Sequence, residues 1–217
     1  MQPILTKLIS ISSEPIGFWA DSPRTIRQDL ERWGKLGTEL SEVLIARNGF
    51  WTYESSLLVR PFKKASRPIG LVEWNDNNAW KCNYNIDLSR SLFFAEDAFG
   101  CQHCICTDGV AVFDPESGQF EKIADTLEGW AQVVMQDYEY RTGYPLAHEW
   151  QLRNHPLEPG TRLLPIMPFV LGGEYALDNI YAADELEGMI LRAAIASQIR
   201  DVPDGDKVVI KIVNKLE

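Results

Sequence analysis

The stretch from Leu92 to Trp130 constrains the fold more than any other part of the chain. The apolar run Leu92-Phe93-Phe94-Ala95 leads into the acidic pair Glu96-Asp97 and the step Phe99-Gly100. Short alternating segments follow, punctuated by Asp108-Gly109 and by Asp114-Pro115-Glu116-Ser117-Gly118, where a strand must reverse. The order predicts strand, strand, tight turn, strand, turn, strand, helix. A two-residue Asp108-Gly109 loop would set Thr107 opposite Val110, Ile105 opposite Val112 and Cys104 opposite Phe113. Both faces of that pair are apolar, as expected of central strands covered on more than one side. Asp125 is the expected cap of the next helix, with Glu128 reaching back and Leu127, Trp130, Val133, Val134 and Tyr138 on one face. Gly143 is the expected terminator. Pro145 then begins a shorter helix carrying Leu146, His148, Glu149 and Trp150.

Upstream, Ser22-Pro23 reads as a cap followed by proline in the first turn, where a missing N–H costs nothing. Ile26, Leu30 and Trp33 fall at helical spacing, and Gly34 or Gly37 ends that segment. Thr38 can cap a second helix with Leu40, Val43 and Leu44 on its apolar face, stopped at Asn48-Gly49. Phe50 to Phe62 reads as one or two strands, Gly70 to Trp74 as another, and Asp76-Asn77-Asn78 as a loop tip. Residues 155–160 form the expected boundary between a first unit, 1–154, and a C-terminal extension, 155–217. In the extension a strand over Leu163–Leu171 is broken by Pro165 and Pro168. A short strand follows near Leu177–Tyr181, then a helix from about Asp184 to Ile199, with Leu186, Met189, Ile190, Ala193 and Ile195 as packing residues. A last strand, Lys207–Val213, completes a β-β-α-β order.

Charge is unevenly placed. Residues 1–90 hold 12 basic and 10 acidic side chains; residues 91–217 hold 9 and 21, within a net charge of -10. An acidic half repels phosphate backbones and attracts basic protein surfaces, so the expected partner is a protein and not nucleic acid. No run approaches the ~18 apolar residues of a membrane span, and Met1 to Gly17 is too mixed for a signal segment. A cytoplasmic protein with no membrane partner is expected.

Motifs that could carry chemistry fail on spacing. Cys101 and Cys104 form a Cys-x-x-Cys, but residues three apart on a strand point to opposite faces and cannot converge. Cys104 and Cys106 share a face with Phe113 and read as small buried hydrophobes. His148-Glu149 lacks a histidine four positions after His148, so it is no zincin helix. Neither a Gly-x-Ser-x-Gly elbow, a phosphate loop nor a dinucleotide fingerprint is found. The expectation is no catalytic residue, no metal and no cofactor. Adjacent Glu96 and Asp97 diverge on a strand, which argues against shared acid–base work. Seven tryptophans are mostly expected in the core, with Trp80, beside Asn77-Asn78, as a possible exposed interface anchor.

Several of these segments, in order, resemble the SUKH superfamily over about residues 20–150. They are the helix ending in Asn48-Gly49-Phe50, the strand around Leu57-Leu58-Val59, and Phe93-Phe94-Ala95-Glu96-Asp97-Ala98-Phe99-Gly100. Asp108-Gly109-Val110-Ala111-Val112-Phe113-Asp114-Pro115-Glu116-Ser117-Gly118 and the helix start at Asp125-Thr126-Leu127-Glu128-Gly129-Trp130 continue the match. Two departures stand out: Gly37-Thr38 replaces the proline common before the second helix, and residues 155–217 exceed the compact family core. The resemblance implies an α+β fold, with a mixed, largely antiparallel sheet flanked by helices, used as a protein-binding scaffold. It further implies an immunity protein that masks a secreted bacterial toxin, such as a nuclease, by stoichiometric binding. An intracellular adaptor of the same fold is the second expectation, and a hydrolase with an unrecognised carboxylate site the third. The expected interface is acidic, built from Glu96, Asp97, Asp114 and Glu116 with Trp80, and the expected partner is a toxin with a basic surface.

Overall fold

Turn residues spaced along residues 50–124 fold that stretch into a meander. The computed structural model describes residues 1–17, 22–203, 205, 206 and 209. Its main sheet has six antiparallel strands in chain order: β1 (Phe50–Thr52), β2 (Leu57–Val59), β3 (Leu92–Asp97), β4 (Gln102–Cys106), β5 (Gly109–Asp114) and β6 (Gln119–Ala124). Seven helices precede, interrupt or follow it: α1 (Pro3–Ser10), α2 (Pro23–Leu30), α3 (Gly34–Ala46), α4 (Leu71–Trp74), α5 (Leu127–Gln136), α6 (Tyr138–Thr142) and α7 (Tyr144–Arg153). The extension adds an antiparallel pair, β7 (Thr161–Pro165) and β8 (Ile180–Asp184), and then α8 (Glu185–Ile199). The architecture is α+β, as expected. The final expected strand, Lys207–Val213, lies almost wholly outside the described residues.

Both faces of the sheet are covered. Strand alternation sends Phe50, Leu57, Val59, Ile105 and Val110 to one side, against Leu8, Ile26, Leu40, Leu44, Trp130 and Val134 of the N-terminal helices and α5. Phe93, Cys104, Ala111 and Phe113 face the other side, with Trp74, Trp80, Tyr84 and, from α8, Met189 and Ala193. A third cluster joins Ala98 and Phe99 to Leu146, Ala147 and Trp150 of α7 and to Leu163 and Ile180 of the extension.

A bulge in β3 decides what faces where. The pairing of β3 with β4 shifts between Phe93 and Ala95, so Phe94 and Ala95 both pack into the helix-side core. Every later residue of β3 is thereby flipped relative to a regular strand. Glu96 comes to the same face as Phe93, and Asp97 to the face shared with Val110.

Several expectations are corrected. The β4–β5 hairpin pairs Cys106 with Gly109, Ile105 with Val110 and Cys104 with Ala111, so its loop is Thr107-Asp108. Gly109 sits inside the strand at φ 147°, and a Cβ there would meet the Ala124 carbonyl oxygen at 2.4 Å. Thr126, rather than Asp125, caps α5 by accepting from Gly129 N–H, while Asp125 pairs with Lys122 at 2.8 Å. Glu128 reaches across to accept from Ile4 and Leu5 N–H at 2.7 and 3.0 Å, capping α1. Thr38 lies within α3, and 71–74 form a helical turn instead of a strand. β7 ends at Pro165. Ser22 does cap α2, accepting from Thr25 N–H.

Candidate functional site

Two groups of charged residues sit at the junction of sheet and extension, one closed and one open. The closed one follows from strand alternation: Arg60, Glu96 and Gln102 project from neighbouring strands on the same face. Glu96 accepts from Arg60 Nη2 at 2.7 Å, from Gln102 Nε2 at 2.8 Å and, on its other oxygen, from Arg162 Nε at 2.7 Å. Arg60 Nη1 also pairs with Glu185 at 3.0 Å. Each guanidinium lies over an indole, with Arg60 Cζ 3.5 Å from the Trp74 ring centroid and Arg162 Cζ 4.7 Å from that of Trp51. Burial pushes the Glu96 carboxyl up, but the two arginines outweigh it and hold it below the usual range. With Arg60, Glu96, Arg162 and Glu185 all at or below 1% exposure, the network binds the extension to the sheet and offers nothing to solvent.

The open group is a cleft of about 520 Å³ on the helix side of the sheet, beyond the end of α5. Alternation again sets its floor: Asp97 on β3, Val112 and Asp114 on β5, and Glu121 on β6 share that face. Glu139, Tyr140 and Arg141 of α6, then Gly143 and Pro145, complete the lining with Phe99, Cys101 and, from the extension, Phe169 and Tyr175. Phe99, Phe169 and Tyr175 are mutually packed, with centroids 5.0–5.8 Å apart. Gly143 makes this lining possible: it is left-handed, and a Cβ would strike the Phe99 ring at 2.4 Å.

Asp97 is 8% exposed. Its Oδ1 accepts from Phe99 and Cys101 N–H at 2.9 and 2.8 Å, closing the tight turn at Gly100. Burial pushes its carboxyl up to about 7, against the opposing pull of those N–H groups and of Arg192 and Arg162. Burial and the adjacent Asp97 likewise raise the Cys101 thiol. Asp114 accepts from Glu116 N–H and from the Ser117 hydroxyl. Arg141, the cleft's one cation, is engaged by Glu121 at 3.2 Å.

The expected acidic interface is therefore redistributed. Asp97 and Asp114 line the cleft. Glu96 is locked in the closed network. Glu116 is buried, accepting from Val170 N–H at 3.0 Å and so anchoring the turn that carries Phe169. Trp80 is fully buried at the centre of an aromatic cluster with Trp74, Tyr84, Phe93 and Phe113, and is no exposed anchor. Arg141, Tyr140, Phe169 and Tyr175 were missed; nothing local in the sequence brings 140 and 175 together. Among the described residues no group of three or more His, Cys, Asp or Glu side chains is placed to hold a metal ion, and no helix is long and apolar enough to cross a membrane.

No protein-family model matches the chain, and no curated protein matches it. Among solved structures it is similar to that of Atu4351 from Agrobacterium tumefaciens, with a TM-score of 0.59 and 13% identity over 86% of each chain. At that identity the likeness concerns the fold alone.

Proposed function

We propose that this chain is a non-catalytic, SUKH-like immunity protein of the cytoplasm, which neutralises a secreted bacterial toxin by binding it stoichiometrically. The observation that carries this reading is the cleft, whose lining sets four carboxylates against one guanidinium and adds exposed rings, on the acidic half of the chain. Such a surface suits a basic protein, which long-range attraction would steer toward it. His103 and Glu96, two ionisable groups at the centre of the sheet, are engaged within the fold. His103 is fully buried, and its Nδ1 accepts from Trp130 Nε1 at 2.9 Å; Glu96 is saturated by cations.

The test is co-expression with the products of neighbouring reading frames. The tagged chain should co-purify with one of them in equimolar amount, and its presence should restore growth that the partner alone arrests. Turnover of a small compound by the purified chain, abolished by replacing a single ionisable group, would overturn the proposal.

A further inference from the structure

We propose that Cys104 and Cys106 form a reversible dithiol–disulfide pair, in which Cys106 exchanges with small-molecule disulfides and Cys104 resolves the product. This is a modification of the chain and stands apart from partner binding. Alternation along β4 sends both side chains to the same face, and their sulfurs lie 3.5 Å apart. Cys106 Sγ is also 3.6 Å from Ser91 Oγ. Two steps of a strand span about 6.7 Å between Cα atoms, the upper edge of what a disulfide bridges. Closing the sulfurs to about 2 Å therefore gives a strained bond, and strained disulfides are the readily reduced ones. The Cys-x-x-Cys of the sequence is not the pair. Cys101 lines the cleft, while Cys104 packs with Phe93 and Phe113 on the other side of the sheet.

The two sulfurs are unlike. Cys104 is fully buried, and burial pushes its thiol well up. Cys106 is half-buried at the strand end, beside exposed Thr107 and Asp108. Hydrogen bonds from Cys104 and then Ser91 hold its thiol down to about 7, against burial and the Asp108 charge. A thiol ionising near neutrality is the most effective attacker of a disulfide. Its thiolate attacks one sulfur of RSSR: the Cys106–SR bond forms, the S–S bond breaks and RS⁻ leaves. That RS⁻ takes up the Cys104 proton. The Cys104 sulfur then attacks Cys106 Sγ, joining the two cysteines and expelling the second RS⁻. Lys81, which donates to the Ser91 carbonyl at 3.0 Å, favours the Cys104 thiolate as it forms. The cysteines lose two electrons, and the small disulfide departs as RSH and RS⁻. One equivalent is consumed per chain, with no turnover.

The test uses the full chain carrying Cys82→Ser, which removes an exposed thiol. It is equilibrated with mixtures of oxidised and reduced glutathione, alkylated with N-ethylmaleimide under denaturing conditions, and its mass measured. Rising oxidised glutathione should yield a species lighter by two hydrogens with both thiols protected, and reduced glutathione alone should return the starting form. The tryptic peptide Ser91–Lys122 has no internal Lys or Arg; it should carry the bond between Cys104 and Cys106, with Cys101 alkylated. Cys104→Ala should instead accumulate glutathione on Cys106. Cys106→Ser should slow reaction at Cys104 about tenfold or more; this change sits at the half-buried strand end and serves even where Cys104→Ala fails to fold. A stable glutathione adduct on Cys106 with Cys104 present, a bond that involves Cys101, or unchanged exchange in Cys106→Ser would overturn the inference. So would a pair that stays reduced at the highest disulfide ratio.

Discussion

Asp97 links local chemistry to stability. Its folded value, about 7, lies above its unfolded value of 3.8, so the folded state holds the proton more tightly. The resulting stabilisation is complete below about pH 4 and is lost as pH rises through 7. Asp97→Asn should remove that falling component, visible as a changed slope of urea midpoint against pH between about 4 and 7. His103 works in the opposite sense. Burial lowers it to about 3 from 6.5, so its contribution is present above 6.5 and fades as acid approaches 3. On unfolding Asp97 releases a proton and His103 takes one up, so the two effects partly cancel, and single substitutions are needed to see either. Elsewhere Tyr53, Glu54 and Ser55 hold left-handed conformations in succession at the β1–β2 tip. They are fixed there by Tyr53 stacking on Tyr138, by His148 beside Glu54 at 2.6 Å and by Gln151 donating to the Glu54 carbonyl. Ser55→Gly should relieve about 1 kcal/mol of this strain, measurable as a raised denaturation midpoint.

At the scale of elements, helix ends are satisfied by other helices. Glu128 of α5 caps α1, and Glu39 of α3 accepts from Leu127 N–H at the start of α5 at 2.9 Å. Glu128→Gln should loosen α1 by about 1 kcal/mol, seen as faster amide exchange at Ile4 and Leu5. This crossed capping explains why local reading assigned Glu128 to its own helix: the capping-box spacing from Asp125 is present, but the better acceptor geometry lies 124 residues away in sequence. Elements with a local cause were legible. The meander followed from turn residues, α2 from Ser22-Pro23, and α8 from its apolar spacing. Register was not, since Gly109 was needed inside a strand for its lack of a side chain and not at the turn. The bulge at Phe94 left no sequence signal either, although it decides that Glu96 enters the closed network and Asp97 the cleft. Charge marked Glu96, Asp97, Asp114 and Glu116 alike; Asp97 and Asp114 line the cleft, whereas Glu96 and Glu116 are buried by what arrives from residues 162 to 192.

For the whole molecule, the closed network makes sheet and extension interdependent. Arg162→Met leaves Glu96 buried with one cation fewer and should cost about 3–5 kcal/mol by chemical denaturation. The linker contrasts with it: residues 152–156 are exposed, so a protease should cut there first. The two fragments should nevertheless co-elute, held by Arg162 and Glu185 on Glu96 and Arg60 and by the shared apolar cluster. Separation after nicking would show that those contacts contribute less than their burial suggests.

One consequence concerns how an occupant could be discovered blind. The cleft takes Asp97 and Val112 from the sheet and Phe169 and Tyr175 from beyond the linker, so whatever fills it clasps both parts at once. By mass action a compound bound only by the folded chain raises the melting point according to its concentration relative to its Kd. A thermal-shift screen of cationic peptides would thus sort candidates before any biological setting is known.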